Sequence, residues 1–297
     1  MKQKLVAILG PTAAGKTSLS LFLASKFDGY ILSADSCQVY RGLDIGTAKA
    51  SPEERKQVPH FLIDIKDPDQ DYNVSNFKTD AQKIIEQKSG LPFLVGGTGL
   101  YFDALLKNLT FAQVPPDSKF RKELENRITR EGLEAISQEL IEFDPKAKEI
   151  IDLKNPRRVI RALEVRHKTG QPFSNFQKKG PALFNSLILG VFLPREELYQ
   201  RIDIRVDQMI KKGLLDEMRA LLAKYPPTSP AFSSLGYKQL LPFFAGHIDQ
   251  NEAIDEIKKA TRHYAKRQLT WFKKYKNIHS VENQKQAVKL VNDFIRP

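Results

Sequence analysis

One cysteine, Cys37, occurs in 297 residues. A single thiol excludes an internal disulfide and a cysteine-rich zinc site, and it suits the cytoplasm. No apolar run approaches the roughly 20 residues needed to cross a bilayer, so no membrane span is expected. The N-terminus enters a strand pattern at once, and no secretory leader is expected ahead of it. Internal repeats and low-complexity tracts are missing. Histidines at metal-ligand spacing are missing too, so His60 reads as structural. Positive charge, by contrast, is abundant. Lys and Arg number 47 against 35 Asp and Glu, a formal net charge of +12. Such a balance describes either a solvated basic surface or a surface for a polyanion. A hydrophobic share of 41% allows a packed interior. The length suits one large domain or a core with an insertion.

The stretch Gly10-Pro11-Thr12-Ala13-Ala14-Gly15-Lys16-Thr17 organises the chain, because it fits the phosphate loop G-x-x-x-x-G-K-[ST]. Its context is right on both sides. Leu5 to Leu9 is an unbroken apolar run that reads as a buried parallel strand. Leu19, Phe22, Leu23 and Phe27 then fall on one helical face. Glycines let backbone N–H groups close around an anion, and the helix start adds its positive dipole end. Lys16 supplies a mobile charge, and Thr17 is the candidate ligand for Mg²⁺ bridging two phosphates. The loop does not say whose phosphates these are. A nucleoside triphosphate is the default, and another diphosphate ester fits equally well.

The second apolar run, Tyr30 to Leu32, leads into Ser33-Ala34-Asp35-Ser36-Cys37-Gln38-Val39-Tyr40. Ligands of open parallel sheets bind beyond the carboxyl ends of the strands, which is where Asp35 falls; its other reading is a turn or cap residue. His60 to Ile65 is a further candidate strand, and residues 73–88 read as a helix. Pro92 to Val95 is a strand closed by Gly96-Gly97-Thr98-Gly99. No acidic residue follows it. Glycines there suggest a second close approach of backbone to phosphate, with the Thr98 hydroxyl as donor; a simple turn is the alternative.

The texture changes over residues 114–183, where no strand-like run occurs. Asn155-Pro156 is a good helix start, and the helix it opens carries Arg157, Arg158 and Arg161. Arginines so spaced suit phosphate-backbone contacts. The expected organisation is therefore an α/β fold. A phosphate-loop core of parallel sheet and flanking helices occupies 1–113 and 184–297, and an all-helical insertion occupies 114–183. Leu187 to Leu193 resumes the sheet. Arg201 and Arg205, one turn apart on the next helix, either clamp an anion or pair with Asp203 and Asp207. The last long helix, near 251–275, crowds Lys258, Lys259, Arg262, Lys266 and Arg267 among His263, Tyr264 and Trp271, a mixture suited to RNA.

Taken together these blocks resemble the bacterial tRNA dimethylallyltransferase family. The likeness rests on residues 10–17, 34–49, 95–101, 155–165, 235–238 and 261–272, in order along nearly the whole chain. Some members of that family carry a C-terminal zinc finger, and this chain, with one cysteine, resembles the short form. The resemblance implies transfer of a dimethylallyl group from dimethylallyl diphosphate to N6 of the adenosine 3′ to the anticodon, in tRNAs reading codons that begin with U. It implies Asp35 as the catalytic base and the phosphate loop as the diphosphate site with Mg²⁺ on Thr17. Thr98 with Arg201 or Arg205 would act on the leaving group. Asp35, Ser36, Cys37 and Gln38 would meet the flipped adenine. Arg121, Arg157, Arg158, Val159, Ile160, Arg161, Arg262, Lys266 and Arg267 would hold the anticodon arm. A cytoplasmic monomer is expected. Three other readings share parts of this pattern: prenylation of free adenine nucleotides, an ATP-dependent small-molecule kinase, and an RNA-binding module with a vestigial loop.

Overall fold

Near-continuous apolar runs become the strands of one parallel sheet. A computed structural model describes residues 2–176 and 178–296. The strands are β1 (Gln3–Leu9), β2 (Gly29–Ala34), β3 (His60–Phe61), β4 (Leu91–Gly96), β5 (Phe184–Gly190) and β6 (Ile278–Ser280). Their order is β3-β2-β4-β1-β5-β6, and every pairing is parallel. Both faces of such a sheet are covered, which is why Leu5 to Leu9 are all fully buried.

The chain up to residue 106 adds α1 (Lys16–Lys26), α2 (Pro52–Gln57), α3 (Val74–Gln87) and α4 (Gly99–Leu106). A helical segment follows with α5 (Ser118–Glu131), α6 (Leu133–Phe143), α7 (Ala147–Ile150) and α8 (Pro156–Thr169). After β5 come α9 (Arg195–Lys211), α10 (Leu214–Leu222), α11 (Tyr237–Phe244), α12 (Gln250–Phe272) and α13 (Gln284–Ile295). Alternation along β1 sorts the layers. Leu5, Ala7 and Leu9 pack with Phe77 of α3, Phe102 of α4 and Phe272 of α12, while Val6 and Ile8 pack with Leu23 of α1 and Val291 of α13. No described helix is long and apolar enough to cross a membrane.

Two compact units result, Met1–Leu106 with Ala182–Pro297, and Lys107–Pro181. The second starts earlier than the Pro115-Pro116 signal suggests. Leu109 bridges antiparallel to Lys179, and Thr110 N–H donates to the Lys178 carbonyl at 3.0 Å, so the incoming and outgoing chain pair below the prolines. Its helices close around Leu124, Ile136, Leu140, Val159 and Leu163. The Asn155 side chain accepts the Arg157 N–H, and left-handed Gly170 ends α8, as its capping residues dictate.

Two strands end short of the apolar runs read from the sequence. β3 stops at Phe61 rather than Ile65, because Leu62 and Asp64 take positive φ values of 64° and 55°. β5 ends at Gly190, three residues before the apolar run does.

Candidate active site

Strand register builds the site. Gly96 of β4 pairs with Leu9 on one side and with Ala34 on the other. Three neighbouring strands thus end at one level, and the loops after them share one edge of the sheet. The phosphate loop follows β1, Asp35 to Gln38 follow β2, and Gly97 to Gly99 follow β4. Gly15 caps α1 with φ of 98°, a left-handed conformation that a side chain would strain.

Around this edge lies a cavity of about 1120 Å³, lined by Thr12, Lys16, Thr17, Asp35, Arg205 and Tyr264 among others. A second cavity of about 630 Å³ shares Thr12, Asp35, Arg205 and Tyr264, and adds Ser36, Cys37, His263 and Arg267. Asp35 therefore faces both. Its Oδ1 accepts the Cys37 N–H at 2.8 Å, which leaves Oδ2 for other partners. Thr98 Oγ1 accepts the Ser36 N–H at 3.2 Å.

Lys16, Arg205 and Asp35 interact electrostatically. Burial and then the Arg205 charge push the Lys16 ammonium down to about 7, against the pull of Asp35. Burial likewise lowers the Arg205 guanidinium, with Asp35 opposing. Two cations and one carboxylate leave an excess of positive charge, which an anion on the loop would relieve. Lys16 Nζ donates to the Pro11 carbonyl at 2.7 Å. Neither the Cys37 thiol nor the Tyr264 phenol offers a ready anion: burial, then Asp35, push the thiol up to about 12 and hold the phenol well above its ordinary value.

For a metal, no group of three or more His, Cys, Asp or Glu occurs among the described residues. The oxygen donors nearest the loop that line the larger cavity include the Thr17 hydroxyl and the single carboxylate of Asp35. That sparse set fits Mg²⁺, which takes few protein ligands and is completed by substrate phosphates and water. It fits zinc poorly.

The two arginines of α9 separate. Arg201 pairs with Glu197 at 2.8 Å and lines the larger cavity only, whereas Arg205 lines both cavities. Asp203 and Asp207, the alternative partners, bind Arg262 and Lys258 instead. Arg262 is therefore engaged by a carboxylate, while Lys266 and Arg267 are exposed on the same helix. Gln38 is also engaged: its Oε1 accepts the Ser33 hydroxyl at 2.7 Å and its Nε2 donates to the Thr47 carbonyl at 3.2 Å.

In the helical unit Arg157 and Arg158 are exposed. Val159 and Ile160 are not available to a partner, since both lie in that unit's core. Their neighbours in sequence face solvent because a helix turns 100° per residue. Arg121 and Arg161 both bind the buried carboxylate of Glu164.

Two residues that spacing did not single out also shape the edge. Gln268 Oε1 accepts the Thr12 N–H at 2.8 Å, and its Nε2 donates to the Gly97 carbonyl at 3.0 Å. Glu217 of α10 accepts the N–H groups of Asp44, Ile45 and Gly46 and the Tyr237 hydroxyl, which fixes the loop behind Gln38. The sequence held a signal for Gln268, as a polar residue within the apolar stripe Ile257, Ala265, Phe272. For Glu217 it held none.

Comparison with known proteins agrees in kind with this geometry. The model of the family described as IPP transferase matches residues 38–275, and that described as isopentenyl transferase matches residues 3–68. The chain is 45% identical to a tRNA dimethylallyltransferase of Limosilactobacillus fermentum, with 99% of each chain covered. Among solved structures it is similar to the full-length tRNA isopentenylpyrophosphate transferase of Bacillus halodurans, at 41% identity and a TM-score of 0.72 over 98% of this chain and 95% of that one. It is also similar to a eukaryotic dimethylallyltransferase caught acting on tRNA, at 30% identity and a TM-score of 0.84, covering 99% of this chain and 80% of that one.

Proposed function

The chain belongs to the IPP transferase family, and on that premise we propose that it transfers a dimethylallyl group from dimethylallyl diphosphate to N6 of the adenosine 3′ to the anticodon, in tRNAs reading codons that begin with U. The reaction releases diphosphate. The observation that carries this reading is the convergence of a phosphate loop, Asp35 and Arg205 on one edge of the sheet, open to two cavities.

The chemistry has two obstacles. The N6 lone pair is delocalised into the purine, and the leaving group departs with a large negative charge. As N6 bonds to the allylic C1, the C1–O bond breaks and diphosphate leaves with the electron pair. Asp35 accepts the proton that N6 must lose. The loop amides, Lys16, Arg205 and the Thr98 hydroxyl stabilise the growing negative charge on the leaving group. Thr17 and the diphosphate oxygens would hold Mg²⁺, which when bound neutralises part of that charge. Ile45, Ile63 and Met209 on the cavity wall give the allylic group an apolar, poorly hydrated surface.

The adenine must leave its stack to reach Asp35, at a cost of a few kcal/mol that contacts elsewhere offset. Exposed Arg267 stacks over Tyr264 at 5.8 Å beside the smaller cavity, which suits RNA there. Arg157 and Arg158 suit phosphate contacts from the helical unit. The reading includes a monomeric enzyme acting in the cytoplasm.

The test is incubation with Mg²⁺ and labelled dimethylallyl diphosphate, with unmodified tRNA in one tube and AMP or ATP in another. Label is expected only in the tRNA, at the adenosine beside the anticodon. Label in the free nucleotide would overturn the tRNA assignment, and ATP turnover without label in either tube would overturn the diphosphate assignment. Asp35→Ala is expected to lower turnover by about 10²- to 10⁴-fold with tRNA affinity nearly unchanged.

A further inference from the structure

Gln268 sits on α12, whose outer face carries Lys266 and Arg267, yet it is only 4% exposed. A buried amide is stable only where its acceptor and donor are matched. Both are matched here, and by different loops. The Thr12 N–H belongs to the phosphate loop after β1, and the Gly97 carbonyl to the glycine loop after β4. The amide enters space that any other residue at 97 would fill, since a Cβ there would lie 2.0 Å from Nε2. Tyr264, one turn earlier on α12, lines the same cavity as Gln268 and Gly97. Thr98 accepts the Ser36 N–H of the loop after β2. Gln268 thus ties the loops after β1 and β4 to one helix, and the loop after β2 joins them through Thr98.

We infer that Gln268 is a positioning residue for the transfer reaction: its amide sets the spacing between the phosphate loop and the Gly97 loop, and with it the placement of the diphosphate relative to Thr98 and Asp35. The inference rests on the proposed transfer reaction. Two features favour positioning over simple packing. Each bond of the amide goes to backbone of a loop that lines the site, and none to its own helix. The side chain also fills a gap that exists only because residue 97 is glycine. Spacing errors of about 1 Å at reacting groups lower rates by roughly a hundredfold, so a fixed spacer at this point has a direct chemical effect.

Substitutions separate the two halves of the amide. Gln268→Glu keeps the acceptor for Thr12 but replaces the donor to Gly97 with a second acceptor. Gln268→Met keeps the length and removes both. Each variant, as the full chain, is compared with wild type in four measurements. These are thermal melting, tRNA affinity by filter binding, inorganic diphosphate binding by calorimetry, and the KM and kcat of labelled dimethylallyl transfer to tRNA. Both variants are expected to bind inorganic diphosphate at least about tenfold more weakly. KM for dimethylallyl diphosphate should rise in parallel, with tRNA affinity within about twofold of wild type. The glutamate variant should be the weaker binder, because its charge faces an anion. Unchanged diphosphate affinity in folded variants overturns the inference. So does failure of Gln268→Met to fold, which would make Gln268 a packing residue. A wild-type chain that binds diphosphate but transfers no label to any acceptor instead overturns the proposed reaction.

Discussion

Replacing Glu164 by glutamine tests how charge is used in the helical unit. The Glu164 carboxylate is fully buried and accepts four donors: the Asp117 N–H at 2.7 Å, Arg121 Nε at 2.7 Å, Arg121 Nη2 at 2.9 Å, and Arg161 Nη1. Removing one partner of a fully buried pair costs about 3–5 kcal/mol, because the other charge is stranded. Here Arg121 and Arg161 remain 39% and 31% exposed and can turn toward water. The glutamine carbonyl also retains an acceptor. The expected loss is therefore about 2–3 kcal/mol. In urea, with a slope near 1–2 kcal/mol per molar for a unit of this size, the midpoint for the helical unit should fall by about 1–3 M. Urea titration of the full chain, followed by helical circular dichroism, measures it. The transitions of the two units need not coincide.

The pH dependence has a definite sign. Burial raises the Glu164 carboxyl, but the Arg121 hydrogen bonds, the Asp117 N–H and Arg161 outweigh it and hold the group below its ordinary 4.5. Below 4.5 the unfolded chain binds the proton first, so stability falls as pH drops toward the folded value. The gap between wild type and variant should be full at pH 7 and shrink below pH 4.5. A midpoint shift under about 0.5 M at pH 7, or a gap that does not change in acid, would refute the reasoning.

The same assignment predicts that Arg161→Gln lowers stability with little change in the salt dependence of tRNA binding. Arg157→Gln with Arg158→Gln should instead lower the slope of log affinity against log salt by about one unit each while melting is unchanged; equal slopes in all variants would remove these arginines from the RNA contact. Lys16→Ala and Thr98→Ala should raise KM for dimethylallyl diphosphate by about tenfold or more, read from initial rates, and unchanged kinetics would exclude them from the site. With its thiol pushed up to about 12, Cys37 should resist iodoacetamide at pH 8 in the folded chain and react after denaturation. Mass spectrometry reads this, and rapid native alkylation would contradict it.

Legibility followed locality. The phosphate loop, Asp35 and the 96–99 glycines were readable because each is a short run placed by the strand before it. The cap at Asn155-Pro156 and the left-handed Gly170 were readable for the same reason. Strand limits were less so: the apolar run continues past Gly190 because half-buried Val191, Phe192 and Leu193 pack against the core beyond the end of the strand. β6 and α13 carry no motif, and the sheet and α1 recruit them by packing. Arginine spacing on α8 suggested one common face for phosphate. It could not reveal that a single glutamate three residues on, buried by α5 and α8 together, would take Arg121 and Arg161 and leave Arg157 and Arg158 to solvent.

The amino-acid sequence by itself determined that the chain is α/β, that a glycine loop, a helix start and a lysine meet at the end of β1, and that helices interrupt the core. These depend on period, capping and turn chemistry, which act over a few residues. Only the tertiary structure decided that Arg205 rather than Arg201 lies at the common wall of both cavities, and that Gln268, more than 250 residues along the chain from Thr12, joins the phosphate loop to Gly97. Such pairings depend on strand order and register, which bring Leu9, Ala34 and Gly96 to one level. Hydrogen bonds between residues so far apart leave no periodic trace in the sequence.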